Sequence, residues 1–384
     1  MKPFRTATWL AVALALSAHT LLVAAPRPVD AGAAPTTPHT TDTAAAPSGS
    51  ATASPASPAA SPASLHADAP ATAAPLSRIA VMGASMSSGF GVRVVAPLDD
   101  GRKASEGVDL AALVKLAAKA PPALVANYAT SLYFMNPAAT ARSSAARAVD
   151  SNPTCVLAVD WIFWNGYGVT ALDGSMLTKD AQRMELLEHA LACLQPLCAA
   201  NIPIVLGDFP DMHSAIGGGM ISAPMVPSVE CLAALNKRLA EWARERPNVR
   251  LLPLSQMTAD LAANKPIMAA GRAWSVETVG PLLQKDRLHP TFAGTVAVFA
   301  MALEALDRLT ADAALRNFEL DPAVLRERVV RQIQAGAAAP ATTAAAAATA
   351  ATTASPAPAG ASAGSDPSPA GSPAAAPTGH APRR

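Results

Sequence analysis

Between residues 76 and 335 the apolar positions fall into two alternating rhythms. Short apolar runs, stopped by Gly, Asn, Asp or a change of pattern, recur at 78–82, 123–126, 155–159, 202–207 and 249–254. Runs of this length bounded by turn residues predict buried β-strands. Between them lie stretches with apolar residues three and four apart, which predicts helices. The first, 109–119, places Leu110, Leu113, Val114 and Ala117 on one side. Others are predicted over 137–149, from 178 to about 195 with Pro196 as the stop, over 229–244, and over the strongly apolar 291–309. Apolar strands alternating with amphipathic helices imply an α/β domain with a parallel sheet covered on both faces. In such sheets ligands bind beyond the carboxyl ends of the strands. The turns to inspect therefore begin at Gly83, Asn127, Asp160, Gly207 and Ser255.

The flanks have a different character. Residues 34–75 and 336–384 consist almost entirely of Ala, Pro, Ser and Thr, with a Gly admixture in the second. Such segments have too few large apolar side chains to offset the entropy of ordering, which predicts disordered linkers or tails. At the start, Lys2 and Arg5 precede an apolar stretch from Trp9 to Ala25, and small residues follow. That pattern predicts a signal peptide within 1–33, with Val23-Ala24-Ala25 and Ala31-Gly32-Ala33 both offering cleavage sites. An uncleaved anchor is the alternative, because a span needs about 20 apolar residues. Export to a periplasmic or extracellular space is the expectation, with no membrane span after cleavage. A formal net charge of +1 argues against a nucleic-acid partner.

The candidate chemistry begins at the first strand end, Gly83-Ala84-Ser85-Met86-Ser87. A serine held in a tight turn exposes its hydroxyl and brings its own N–H near a developing oxyanion. By itself this turn reads first as a Gly/Ser turn that caps the following helix. Within 76–335 the only histidines are His189, His213 and His289. His189 falls inside a predicted helix, His213 follows the fourth strand, and His289 stands in Asp286-Arg287-Leu288-His289-Pro290. An Asp three residues before a His in a turn can accept the imidazole Nδ1–H and leave Nε2 for a serine.

Taken together, Gly83-Ala84-Ser85-Met86-Ser87 resembles the opening Gly-Asp-Ser-x-Ser block of SGNH (GDSL-like) serine hydrolases. Asp286-x-x-His289-Pro290 is similar to their closing Asp-x-x-His-Pro block. The resemblance spans 78–309 and implies a flavodoxin-like three-layer α/β/α sandwich with a mostly parallel five-stranded sheet. It implies Ser85 as nucleophile, His289 as base and then acid, and Asp286 as its orienting partner. The oxyanion donors carried over would be the N–H of Ser85 and of Leu132, with the side chain of Asn165. The departures are Ala84 where the family has Asp, Leu132 where it often has Gly, and Asp160-Trp161-Ile162-Phe163-Trp164-Asn165 where it has Gly-x-Asn-Asp.

That third segment and Tyr167 hold four aromatic side chains in a chain only 4% aromatic. Asp160, Trp161, Trp164, Tyr167 and Asp208 are accordingly candidates for a substrate pocket, with core packing or turn capping as the alternative roles. The four cysteines have no metal-ligand spacing, and Cys231 is expected either to pair with Cys193 or Cys198 or to remain free. No Gly-x-Gly-x-x-Gly pattern follows the first strand and there is no P-loop lysine, so no cofactor is expected. The expectation is an exported hydrolase of a small-molecule, lipid or acylated-glycan ester. A catalytically weakened ligand-binding relative and a structural envelope spacer are the competing functions.

Overall fold

The computed structural model describes residues 76–310 and 314–338. The expected signal peptide, the linker 34–75 and most of the tail lie outside these residues. The elements run β1 (Arg78–Val81), β2 (Arg93–Pro97), β3 (Lys103–Gly107), α1 (Leu110–Ala117), β4 (Leu124–Asn127), α2 (Pro137–Asp150) and β5 (Cys155–Ala158). They continue with a single-turn α3 (Phe163–Gly166), α4 (Asp180–Ala199), β6 (Ile204–Gly207), α5 (Val229–Arg244), β7 (Val249–Leu252) and α6 (Leu254–Ala262). The last are β8 (Ile267–Ala269), β9 (Arg272–Trp274), a short α7 (Val276–Val279), α8 (Phe292–Thr310) and α9 (Pro322–Ala338).

Five strands form one all-parallel sheet in the order β4-β1-β5-β6-β7. Side chains alternate across it, as the two-residue period of a strand requires. Ile79 and Val81 pack with Leu113 of α1, Phe299 of α8 and Leu325 of α9. Ala80 and Met82 pack with Ala141 of α2, Leu191 of α4 and Leu235 of α5. The result is a flavodoxin-like three-layer sandwich. From β1 the chain crosses by α1 to β4 on one side, then returns by α2, on the opposite face, to β5 on the other side of β1. A crevice therefore opens at the carboxyl ends of β1 and β5, where such folds bind ligands.

Most expected elements occur within a few residues of their predicted limits. Pro196, expected to end the fourth helix, instead sits exposed inside α4, which continues to Ala199. Only one bond of the last turn is lost to the missing N–H, and burial of Leu194 and Leu197 holds the helix beyond it. The fifth strand ends at Leu252 rather than 254, and Ser255 belongs to the first turn of α6. The antiparallel hairpins β2–β3 and β8–β9, and the helices α6 and α9, have no counterpart in the sequence reading. β3 is largely exposed and carries no burial pattern, whereas α9 buries Leu325, Val329 and Ile333 four apart before it merges into alanine-rich sequence. Among the described residues no helix is long and apolar enough to cross a membrane. All four cysteines are free thiols, and burial pushes Cys155 up to about 12 and Cys231 up to about 11.

Candidate active site

Ser85 stands in the turn that follows β1. Hydrogen bonds from Ser88 N to Ala84 O at 2.9 Å and from Phe90 N to Ser85 O at 2.9 Å wind 84–90 into a tight coil. What fixes its shape is Asp160, at the end of the neighbouring strand β5. The Asp160 carboxylate accepts from Ala84 N at 3.0 Å, Met86 N at 2.8 Å, Ser87 N at 3.3 Å and Ser87 Oγ at 2.5 Å. Burial pushes its carboxyl up from the ordinary value, and these four donors pull in the other direction. Gly83 makes the approach feasible, since a Cβ there would lie 2.4 Å from Asp160 Oδ1 and 2.3 Å from the Ser87 side chain. Among the described residues the N–H of Ser85 has no hydrogen-bond acceptor, and it lies beside its own hydroxyl.

His289 arrives from the other end of the domain, on the turn before α8. His289 is 1% exposed. His289 Nε2 is 2.9 Å from Ser85 Oγ, and Nδ1 is 2.7 Å from Asp286 Oδ2. The turn is short and cross-braced. Asp286 Oδ1 accepts from Leu288 N at 3.0 Å and His289 N at 3.1 Å, while Gln284 N donates to His289 O at 2.8 Å. Burial opposes ionisation of Asp286, but the imidazole bond and these two backbone donors hold its carboxyl below the ordinary value. Gln284 Nε2 also donates to Phe90 O and Pro290 O, both at 2.8 Å, tying the histidine turn to the serine turn. The Phe90 ring lies against the imidazole, centroids 4.6 Å apart.

Ser85, His289 and Asp286 thus form one continuous relay, with every step inside hydrogen-bonding range. The relay opens on a small cavity walled largely by apolar side chains, among them Met86, Phe163, Met212, Leu254 and Leu288. Asp160 reaches this cavity too, but its main partners belong to the serine turn.

The other candidate residues go elsewhere. Asn165 is fully buried, donating to Leu186 O at 3.3 Å and accepting from Tyr133 Oη at 3.2 Å, so its amide serves the packing of α3 against α4. Leu132 is 58% exposed at a φ of −90°, and its N–H donates to Thr130 Oγ1 at 3.2 Å. Neither is free to meet an oxyanion.

Trp161 and Trp164 are core residues rather than pocket walls. Trp161 donates from Nε1 to Ser144 Oγ at 2.8 Å, and Trp164 packs between Phe134 and Phe163. Trp161 precedes the single turn α3 and Trp164 lies within it; both pack into the core and leave Phe163 to line the cleft. Tyr167 stacks on Phe163 at 4.4 Å, donates to Pro210 O and accepts from Met212 N at 3.2 Å, bracing another stretch of the cleft wall. Asp208 bonds both N and Oγ of Ser255 and so caps α6 from outside the cleft. Two residues escaped sequence reading: Gln284, whose tether spans 194 positions, and Phe163, one of several aromatics in a row.

The chain matches no protein-family model, and no curated protein shows significant sequence similarity to it.

Proposed function

We propose that this chain is an exported serine ester hydrolase of the SGNH (GDSL-like) type, cleaving O-acyl esters through an acyl-serine intermediate. The observation that carries the reading is the unbroken relay Ser85–His289–Asp286 at the mouth of an apolar cavity. Ser85 Oγ attacks the ester carbonyl while His289 Nε2 takes its proton. Asp286, held ionised, keeps Nδ1 protonated and stabilises the imidazolium. The carbonyl oxygen gains negative charge, and the unpartnered Ser85 N–H is the donor beside it. Collapse of the tetrahedral adduct expels the alcohol, which takes the proton from His289. Water, activated by the same imidazole, then releases the acid and restores Ser85. Export rests on the sequence of residues 1–33 alone.

One observation favours a second reading, a catalytically weakened ligand-binding protein. With Asn165 and Leu132 engaged elsewhere, two of the three carried-over oxyanion donors are missing. Loss of one such donor is worth about 10²–10³ in rate.

A fluorophosphonate probe and p-nitrophenyl acetate separate the two. We expect stoichiometric labelling of Ser85, together with hydrolysis that disappears in Ser85→Ala and His289→Ala. A folded protein that neither labels nor hydrolyses would sink the hydrolase reading and leave the binding one.

A further inference from the structure

Phe90 is 38% exposed and, among the described residues, belongs to neither of the two apolar clusters that flank the sheet. A single exposed phenylalanine needs no explanation of its own. The backbone that holds this one does. Gly89 and Gly91, on either side of it, have φ of 72° and 71°, in the left-handed region that favours glycine. A Cβ on Gly89 would lie 2.3 Å from Val108 O, and one on Gly91 would lie 2.5 Å from Gln284 Oε1. Phe90 N donates to Ser85 O at 2.9 Å, and Phe90 O accepts from Gln284 Nε2 at 2.8 Å. The same glutamine donates its N–H to His289 O at 2.8 Å. Residue 90 is therefore fixed to both turns of the relay.

What that backbone presents is a ring whose centroid lies 4.6 Å from that of His289, with the planes tilted by 34°. Ser85 Oγ and Asp286 Oδ2 meet the two ring nitrogens. The shallow tilt brings Phe90 against the face of the imidazole instead. Phe90 does not line the cavity on which Ser85 opens, so a substrate there is held by other side chains.

A histidine that serves as base is neutral before it takes the serine proton and cationic afterwards. The face of an aromatic ring within about 6 Å attracts a cation through its quadrupole. The contact between Phe90 and His289 is thus stronger in the transition state than in the ground state, and such a contact raises kcat rather than lowering KM. An apolar side chain of similar size would keep water off the imidazole equally well, but it has no negative face.

We propose that Phe90 is a positioning residue of the relay, acting through His289: its ring face stabilises the imidazolium formed when Ser85 gives up its proton. The proposal rests on the serine-hydrolase reading. The proton passes from Ser85 Oγ to His289 Nε2 as the bond from Oγ to the ester carbonyl forms. It leaves with the alcohol, so the imidazole is charged only in between.

The full chain is assayed with p-nitrophenyl acetate alongside Phe90→Tyr, Phe90→Leu and Phe90→Ala proteins. We expect Phe90→Tyr to stay within about twofold of the parent, because the π face is kept. Phe90→Leu should lose about fivefold in kcat with KM unchanged, and Phe90→Ala at least as much. The rate of fluorophosphonate labelling at Ser85 should follow the same order. A second series keeps the shape of the side chain, with one, two and three fluorines placed on the phenylalanine ring at position 90. Fluorine weakens the negative face, so kcat should fall stepwise along the series. Leucine as active as phenylalanine, a loss confined to KM, or a flat fluorine series would each overturn the proposal while the parent's activity leaves the hydrolase reading intact. A parent that neither labels nor hydrolyses retires the hydrolase reading, and this proposal with it.

Discussion

Asp286 and Asp160 both serve the Ser85 site, yet they are built for different work. Asp286 faces an imidazole and two backbone N–H groups on its own turn, and its side chain keeps 15% of its exposure. Asp160 faces three backbone N–H groups and a hydroxyl, all from a segment more than seventy positions away. No cation acts on it among the described residues, and burial is the largest influence on its titration. The first carboxylate is placed to accept a proton from His289 Nδ1. The second gives a loop its shape. A carboxylate close to a nucleophile is thus assigned by what donates to it rather than by proximity.

That division of labour can be broken at either end. The largest expected effect is on activity. Asp286→Asn should lower kcat for p-nitrophenyl acetate by about 10⁴, because the wrong imidazole tautomer is favoured while the fold survives. Asp160→Ala should instead be read mainly in stability. It strands three buried N–H groups and a hydroxyl, costing about 3 kcal/mol or more in denaturant unfolding. An Asp160→Ala protein as stable as the parent would mean that the serine turn holds its shape unaided.

The smallest effect, and the sharpest test of the contrast, is the pH dependence of stability. The carboxyl of Asp286 lies below its ordinary value of 3.8 in the folded protein. Its stabilising contribution is present above that value and lost as pH falls through the lower, folded one. Asp160 lies above its ordinary value of 3.8, so its contribution is greatest below that value and declines as pH rises through the elevated one. Unfolding midpoints measured across this range should lose the acid-side fall in Asp286→Asn and the rise-side decline in Asp160→Asn. Profiles that shift in the same direction in both variants would erase the distinction.

The same contrast explains what could be read in the chain beforehand. Asp286 and His289 are three residues apart in one turn, so their pairing is local and visible in a line of sequence. The five strands and the helices between them were legible for a similar reason, since periodic burial is a local signal. The partners of Asp160 were not, because its role depends on β1 and β5 being neighbours in the sheet. Asn165 misled for a related reason. Its place after the third sheet strand suited an oxyanion donor, but the single turn from Phe163 to Gly166 carries its amide toward α4. The aromatic run was ambiguous until that turn fixed which rings point inward. The two hairpins and α9 lie outside the β–α alternation, so their buried positions, such as Val94, Trp274 and Leu325, fall in segments that the alternation does not predict.

The distance of 204 residues between Ser85 and His289 also sets when the site comes into existence. Contacts of such long sequence separation form only after a large loop-closure cost has been met. A chain emerging from its amino end can wind the serine turn onto Asp160 once β5 has joined β1. His289 is not yet at its side at that stage, because the turn that carries it follows all five sheet strands in the chain and is clamped by Gln284 and α8. On the proposed reading Ser85 therefore has no base through most of folding, and the relay closes only once the His289 turn has docked.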